Sequence, residues 1–360
     1  MNDRKREYHK GLRNLARKHK RLYPKAETLY NASGMLDFNQ IYCGESVKML
    51  SDWPEEWVDL AFADPPFNIG YLYHGYDDRL KKKDYLGFSV AWMSAVRRAL
   101  KPQGSFYLAI GDDYAAELCV AAKGVGFHLR NWIIWHYTFG QQTKDKFARS
   151  HTHILYFVKD PKRFTFNSDA VRVPSARQTT YKDRRANPKG KLPDDVWFLR
   201  PQEAQEADEP MFDPRLDTWH VSRVCGTFAE REGWHGCQMP VEVLKRIVLA
   251  SSNLADVVLD PFSGSGTTAF AAAMLGRQFV GIDQSPEYVH RARKRIEDLH
   301  ARMKRVANAP SNGKGIEHVD VNTIINPDRA SRAAADVDAF GRPRVPKVRR
   351  MAQEPRLEVR

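Results

Sequence analysis

The sequence predicts an α/β domain with a mostly parallel sheet, on three observations. From Asp37 onward, short apolar runs alternate with segments whose apolar residues recur at helical spacing. One run, Val58-Asp59-Leu60-Ala61-Phe62, is followed by Ala63-Asp64 and then broken by Pro65-Pro66. Prolines cannot donate to a ladder, so Asp64 falls at a strand's carboxyl end, the edge where open α/β sheets bind ligands. A later run, residues 254–260, leads into a glycine loop, an alanine-rich helix and a further strand, which together make a β-loop-α-β unit.

The elements follow in order. Residues 1–25 hold ten Lys or Arg against Asp3 and Glu7, with Leu12, Leu15 and Leu22 at helix-like spacing. A basic helix is expected there, lying on the domain, on nucleic acid or in solvent. Residues 38–43 read as a strand ending at Gly44-Glu45, residues 46–50 as a short helix and residues 58–62 as the strand before Asp64. Residues 70–83, with Tyr71, Tyr73, Tyr76 and three consecutive lysines, read as a mobile loop beside that turn. Leu86, Val90, Met93, Val96 and Leu100 share one helical face, and Lys101-Pro102-Gln103-Gly104 stops the helix. A strand is expected at 105–110, then a helix and strands near 131–137 and 152–158. Past Asn167 the periodicity fails until Pro240 opens a helix with Val241, Leu244, Ile247 and Val248 on one face. Gly276 ends the alanine-rich helix, and residues 278–282 form the last strand, closed by Asp283. From about Val306 the chain is rich in Asn, Pro, Ala and Arg without a period, and a disordered basic tail is expected.

Composition limits the functions open to this chain. Its 360 residues are 42% hydrophobic and 11% aromatic, which suits a globular domain of ordinary size. A net charge of +13 favours a polyanionic partner. With no apolar run of membrane-spanning length and no apolar core in the first 25 residues, no membrane association is expected. Four scattered cysteines fit a reducing compartment better than a disulfide framework, so a soluble, cytoplasmic protein is expected.

The chemistry sits in two motifs. Asp64-Pro65-Pro66-Phe67 supplies a carboxylate, a carbonyl with no N–H beside it, a rigid turn and an aromatic face. Asp64 and the Pro65 carbonyl suit the two hydrogens of an exocyclic amine, and Phe67 suits the ring that carries it. Held by two acceptors, the amine nitrogen moves toward tetrahedral geometry and its lone pair becomes available for attack. The same four residues also fit a capped turn with no chemistry. The second motif is Asp260-Pro261-Phe262-Ser263-Gly264-Ser265-Gly266-Thr267. Its glycines admit close backbone approach at a helix N-terminus, and Asp283 stands where an acid would take ribose hydroxyls, so an adenosine cofactor fits. A triphosphate loop would need Gly-Lys-Ser/Thr, which is absent.

Together, and in this order, the two motifs resemble those of the amino-DNA methyltransferases, in particular the β group, over roughly residues 36–300. The resemblance implies a Rossmann-like methyltransferase fold of about seven strands, permuted so that the cofactor half is C-terminal. It implies S-adenosyl-L-methionine as cofactor, held by the glycine loop at its methionine portion and by Asp283 at its ribose. It implies DNA as partner, with Asp64 through Phe67 around a flipped base. Glu45 and Gln238 join the expected cofactor set. His235-Gly236-Cys237-Gln238-Met239-Pro240 is similar to the family's His-Pro-Thr-Gln-Lys-Pro segment, except that Gly236 and Met239 replace its first proline and its lysine.

Residues 167–191 carry Arg172, Arg177, Lys182, Arg184, Arg185, Lys189 and Lys191 against Asp169 and Asp183, with Tyr181 among them. This is a candidate DNA surface within a recognition insertion at 167–234, or a basic loop with no ligand. The acidic stretch 202–213 takes no role. His220, Cys225, His235 and Cys237 match no Cys-x2-Cys unit, so no metal is expected, and His151 and His153 read as ordinary strand residues. The expected activity is methyl transfer to the N6 amine of adenine in DNA. N4-cytosine methylation, an RNA substrate and an inactive DNA-binding protein of the same fold are the alternatives. The sequence leaves open self-association and a cognate restriction endonuclease.

Overall fold

Strands buried on both faces are mostly apolar, and Val58–Ala63 and Val257–Asp260, each with one aspartate, are buried along their whole lengths. In the computed structural model these two strands are neighbours inside a seven-stranded sheet. The structure describes residues 36–195 (except 74, 75, 142, 143, 146, 148, 174 and 180), 224 and 230–307. The expected N-terminal basic helix, the acidic stretch, His220, Cys225 and nearly all of the expected tail lie outside the described residues.

The elements are β1 (Gln40–Cys43), α1 (Ser46–Asp52), β2 (Val58–Ala63), β3 (Leu72–Tyr73), β4 (Tyr76–Asp77), α2 (Lys82–Ala99), β5 (Leu100–Ile110), α3 (Ala115–Val125), β6 (His128–Gln141) and β7 (Arg149–Val158). A 3-10 turn (Ser168–Val171) and a short α4 (Ala176–Thr179) follow. Then come α5 (Val241–Ser251), β8 (Val257–Asp260), α6 (Thr267–Met274), β9 (Gln278–Asp283) and α7 (Pro286–Ala307). Chain contacts group residues 1–300 as one unit and 301–360 as a second, of which only the end of α7 is described.

The sheet order is β1-β9-β8-β2-β5-β7-β6. Its first five strands pair in parallel, and β7 is antiparallel to both β5 and β6. Helices cover both faces. Leu50, Trp92, Met93, Val96 and Leu118 of α1–α3 join Phe106 and Leu108 in one buried cluster. Tyr107, pointing the other way, meets Ser251 of α5 through a 2.8 Å hydrogen bond between hydroxyls.

The structure revises four local expectations. Strand β5 begins at Leu100 rather than 105, with a bulge: Val58 pairs with Leu100 and Leu60 with Ser105, so Lys101–Gly104 loops out of the ladder without ending it. Strand β8 begins at Val257 because Leu254, 75% exposed, belongs to a turn closed by the Asp256 carboxylate on the Asn253 N–H. The late strands are an antiparallel edge hairpin, not parallel crossovers. Finally, the segment read as a mobile loop is tethered. Buried Asp78 accepts the backbone N–H groups of Asn68, Ile69 and Tyr71 at 2.7–3.1 Å, and β3 pairs with β4.

Candidate active site

The carboxyl ends of β2 and β8 open on one cavity, lined by Asp64, Asp260, Asp283 and the glycine loop. Asp64 lies at the end of β2, and Asp260 closes β8. Asp260 accepts from the Phe262 N–H at 3.0 Å and the Thr268 hydroxyl at 2.5 Å, which folds the loop back on its own strand. Gly264 and Gly266 sit at φ +48° and +73°, a region that disfavours side chains. A Cβ on Gly264 would also come within 2.8 Å of His235 Nε2, so a glycine lets the ring lie against the loop. Asp283, at the end of β9, accepts from the Gly264 N–H at 2.8 Å and the Ser285 N–H at 2.8 Å. Buried Arg295 of α7 donates to the Ser265 carbonyl and the Thr267 hydroxyl, both at 3.0 Å, and pins the loop from behind.

Burial raises the proton affinity of all three carboxyls, and a neighbouring carboxylate adds to the rise at Asp64 and Asp260. Burial, and then the charge of Asp260, push Asp64 up to about 8. Asp64 keeps some accessible surface as a residue because it opens on the cavity, but its carboxyl is set deep. Burial lifts Asp260 to about 7 against the pull of its two donors, with Asp283 adding to the rise. Burial lifts Asp283 to about 6 against its backbone donors. His235 goes the other way, down to about 4, through burial and the Arg295 charge, so its ring is neutral.

These residues fit S-adenosyl-L-methionine. The cavity holds three carboxyls and suits a ligand carrying a sulfonium and an ammonium. Ser263 and His235 line it, and their Oγ and Nδ1 atoms are buried with no hydrogen-bond partner among the described residues.

A second, wider cleft meets the first at Asp64. Phe67, Ile69, Tyr71, Trp135, Tyr137 and Arg149 are among the residues that line it. The Pro66 carbonyl is taken by the Tyr85 hydroxyl at 2.8 Å, and Pro65 is buried and lines neither space. The Tyr71 hydroxyl hydrogen-bonds Cys237 and fills the space that a Cβ on Gly236 would need, which accounts for glycine where the family has proline. Beside this cleft, His151 Nε2 and His153 Nε2 lie 3.0 and 2.9 Å from Asp112 Oδ1, so these strand residues form a network the sequence did not suggest. Trp132 Nε1 donates to His153 Nδ1 at 2.8 Å, which leaves the His153 proton on Nε2, aimed at Asp112. A metal ion there would need that nitrogen bare, so the group is a hydrogen-bond network rather than a metal site.

Two members of the expected cofactor set do other work. Glu45 is exposed and caps α1, accepting from the Val47 and Lys48 N–H groups at 3.0 and 2.8 Å. Gln238 is spent on backbone at both ends of its amide, accepting from the Glu232 N–H at 2.9 Å and donating to the Glu230 carbonyl at 2.7 Å. Neither lines the cofactor cavity. Phe262, Ser263, Gly264, Ser265 and Thr267 do. The basic loop is largely tied to its own acids: Arg172 and Lys189 to Asp169, Arg177 and Arg185 to Asp183, and Lys191 to Asp194. Lys182 and Arg184 have no acidic partner among the described residues. Sequence reading missed Ser46, whose hydroxyl bonds the Pro261 carbonyl, as well as Tyr288 and Arg295. Arg295 in particular looks like any other base of a charged helix.

The fold and the paired cavities define a Rossmann-like methyltransferase. The DNA methylase family (N6_N4_Mtase) matches residues 58–294, and the chain belongs to it. It is 34% identical over 278 residues to the type II methyltransferase M.HpaI of Haemophilus parainfluenzae, covering 75% of this chain and 80% of that protein. It is 34% identical over 257 residues to the DNA adenine methyltransferase YhdJ of Escherichia coli, covering 71% and 81%. Among solved structures, the PvuII DNA methyltransferase (cytosine-N4-specific) shares the fold, with a TM-score of 0.52 at 18% identity over 77% of this chain and 95% of that one. The protein is therefore a DNA methyltransferase using S-adenosyl-L-methionine. No described helix is long and apolar enough to cross a membrane.

Proposed function

We propose that the chain methylates the N6 amine of adenine at a specific site in DNA. The observation that carries this reading is that the cofactor cavity and the wide cleft meet at Asp64, with Phe67 beside it on the cleft side. Bound S-adenosyl-L-methionine supplies an electrophilic methyl group on sulfur. The protein's part is to bring an amine to that point and hold its lone pair in line. A base inside a duplex presents its amine edge to its partner, so the base must leave the stack, at a cost of a few kcal/mol. Phe67 stacking offsets part of that cost, and the Asp64 carboxylate accepts one amine hydrogen. As the ionised carboxylate that the bound cation favours, Asp64 is also placed to take the proton the methylated amine gives up.

The choice of adenine rests on Asp64. In the family the resemblance points to, aspartate at this position is commoner among adenine enzymes and serine among cytosine-N4 enzymes, and the adenine name of the Escherichia coli relative supports the same side. Digesting methylated DNA to nucleosides and separating them by mass tests it: N6-methyladenine is expected, and N4-methylcytosine as main product would overturn it. Methylation-aware sequencing of DNA from expressing cells would return the recognition sequence.

In this reading the recognition insertion spans 167–234, and its contacts with phosphate come first from Lys182 and Arg184, beside Tyr181, which is 74% exposed. The type II names of relatives support a cognate restriction endonuclease as partner, and a DNA substrate supports a cytoplasmic location.

A further inference from the structure

We propose that Phe147 is the side chain that enters the duplex as the target base leaves it. Phe147 is 99% exposed, so its ring is free to meet a ligand. It lies in the connection between β6 and β7, two residues ahead of Arg149, which opens β7 and lines the wide cleft. Two residues of chain span at most about 7 Å, so the Phe147 backbone lies close to Arg149, which lines the cleft that leads to Asp64. Trp135 and Tyr137 of β6 line the same cleft, and Gln141 pairs with Arg149 at the hairpin's end. Exposed Lys144, in the same connection, adds charge suited to phosphate.

The cleft lining carries two other exposed apolar residues, and neither serves as well. Ile69 is part of the cleft wall, and the Tyr71 hydroxyl is bonded to Cys237. Extruding a base uncovers the faces of the two base pairs on either side, and a flat apolar side chain restores part of that stacking. A phenyl ring has no hydrogen-bonding atom, so it would fill the gap whatever the neighbouring bases are. Phe147 is thus a positioning residue that acts on the flipping equilibrium.

This inference rests on the base-methylation reading above, so the test begins with the duplex that sequencing identifies and wild-type protein as control. Single-turnover methylation would be followed for wild type, Phe147→Ala and Phe147→Trp. Two substrates would be used: the matched duplex, and the same duplex with an abasic site opposite the target adenine, where the base is already unpaired. Phe147→Ala is expected to slow the matched duplex by about tenfold or more and the abasic duplex by less than about threefold, with Phe147→Trp near wild type. The thermal midpoint should not move, since the ring buries nothing. Equal losses on both duplexes, or no loss on either, would overturn the proposal. Inactive wild type on the matched duplex would instead sink the methyltransferase reading.

Discussion

Asp64 and Asp260 end neighbouring strands, β2 and β8, and close on the same buried space, where the charge of Asp260 raises the proton affinity of Asp64. With Asp283 they form a pocket whose carboxyls hold protons at about 8, 7 and 6, instead of the usual 3.8. Between pH 4 and 8 the folded protein therefore binds protons that the unfolded chain has lost, and these groups make stability fall as pH rises through that window. A cationic ligand reverses the preference, because it favours the ionised carboxyls.

It follows that affinity for S-adenosyl-L-methionine should increase from pH 6 to pH 8, with protons released on binding. Titration calorimetry in two buffers of different ionisation heat measures that release directly. Asp64→Asn should remove the upper part of the pH dependence and leave the lower part. A binding constant independent of pH would show that the carboxyls are not coupled to the ligand.

Asp64→Ala should abolish methyl transfer while leaving cofactor binding at pH 6, where Asp64 is uncharged in the free protein, nearly intact. The side chain makes no hydrogen bond that shapes the glycine loop, whose donors go to Asp260 and Asp283. Radiolabelled methyl incorporation and cofactor titration, run on one preparation, check both halves; sustained turnover would remove Asp64 from the chemistry.

Asp283→Ala should weaken cofactor binding by roughly 1.5 to 3 kcal/mol, the usual worth of a hydrogen bond to a charged group. Because the carboxylate also accepts from the Gly264 and Ser285 backbone, the melting temperature of the apo protein should fall as well. Calorimetric titration beside a melting curve separates the two effects, and an unchanged dissociation constant would move the ribose contact elsewhere.

Arg184 and Arg185 should differ although they are adjacent. Arg185 is paired with Asp183, which also holds Arg177 and whose proton affinity those partners hold well below the ordinary carboxylate range. Arg184→Ala should flatten the slope of log affinity for DNA against log salt by about 0.9, one phosphate contact, and Arg185→Ala by less. Equal slopes for the two variants would put Arg185 on DNA in spite of its ion pair.

The sequence by itself determined the two motifs, their strands and the order in which they come. A strand breaking at a di-proline, and a strand, glycine loop and helix in succession, are signals carried by neighbours in the chain, so they are legible without a fold. The basic loop was legible only as composition: which of its cations are spent depended on where Asp169, Asp183 and Asp194 fall in space. Glu45 and Gln238 went to capping and backbone bonds for the same reason, since the competing partner was invisible in one dimension. Only the tertiary structure decided that β8 pairs with β2 and so brings Asp260 beside Asp64 across most of the chain. It alone put Arg295 behind the glycine loop, Asp78 beneath the hairpin and Tyr71 in the space left by Gly236. Contacts of that kind depend on sheet order and on burial, which are properties of the packed chain and not of any local stretch of it.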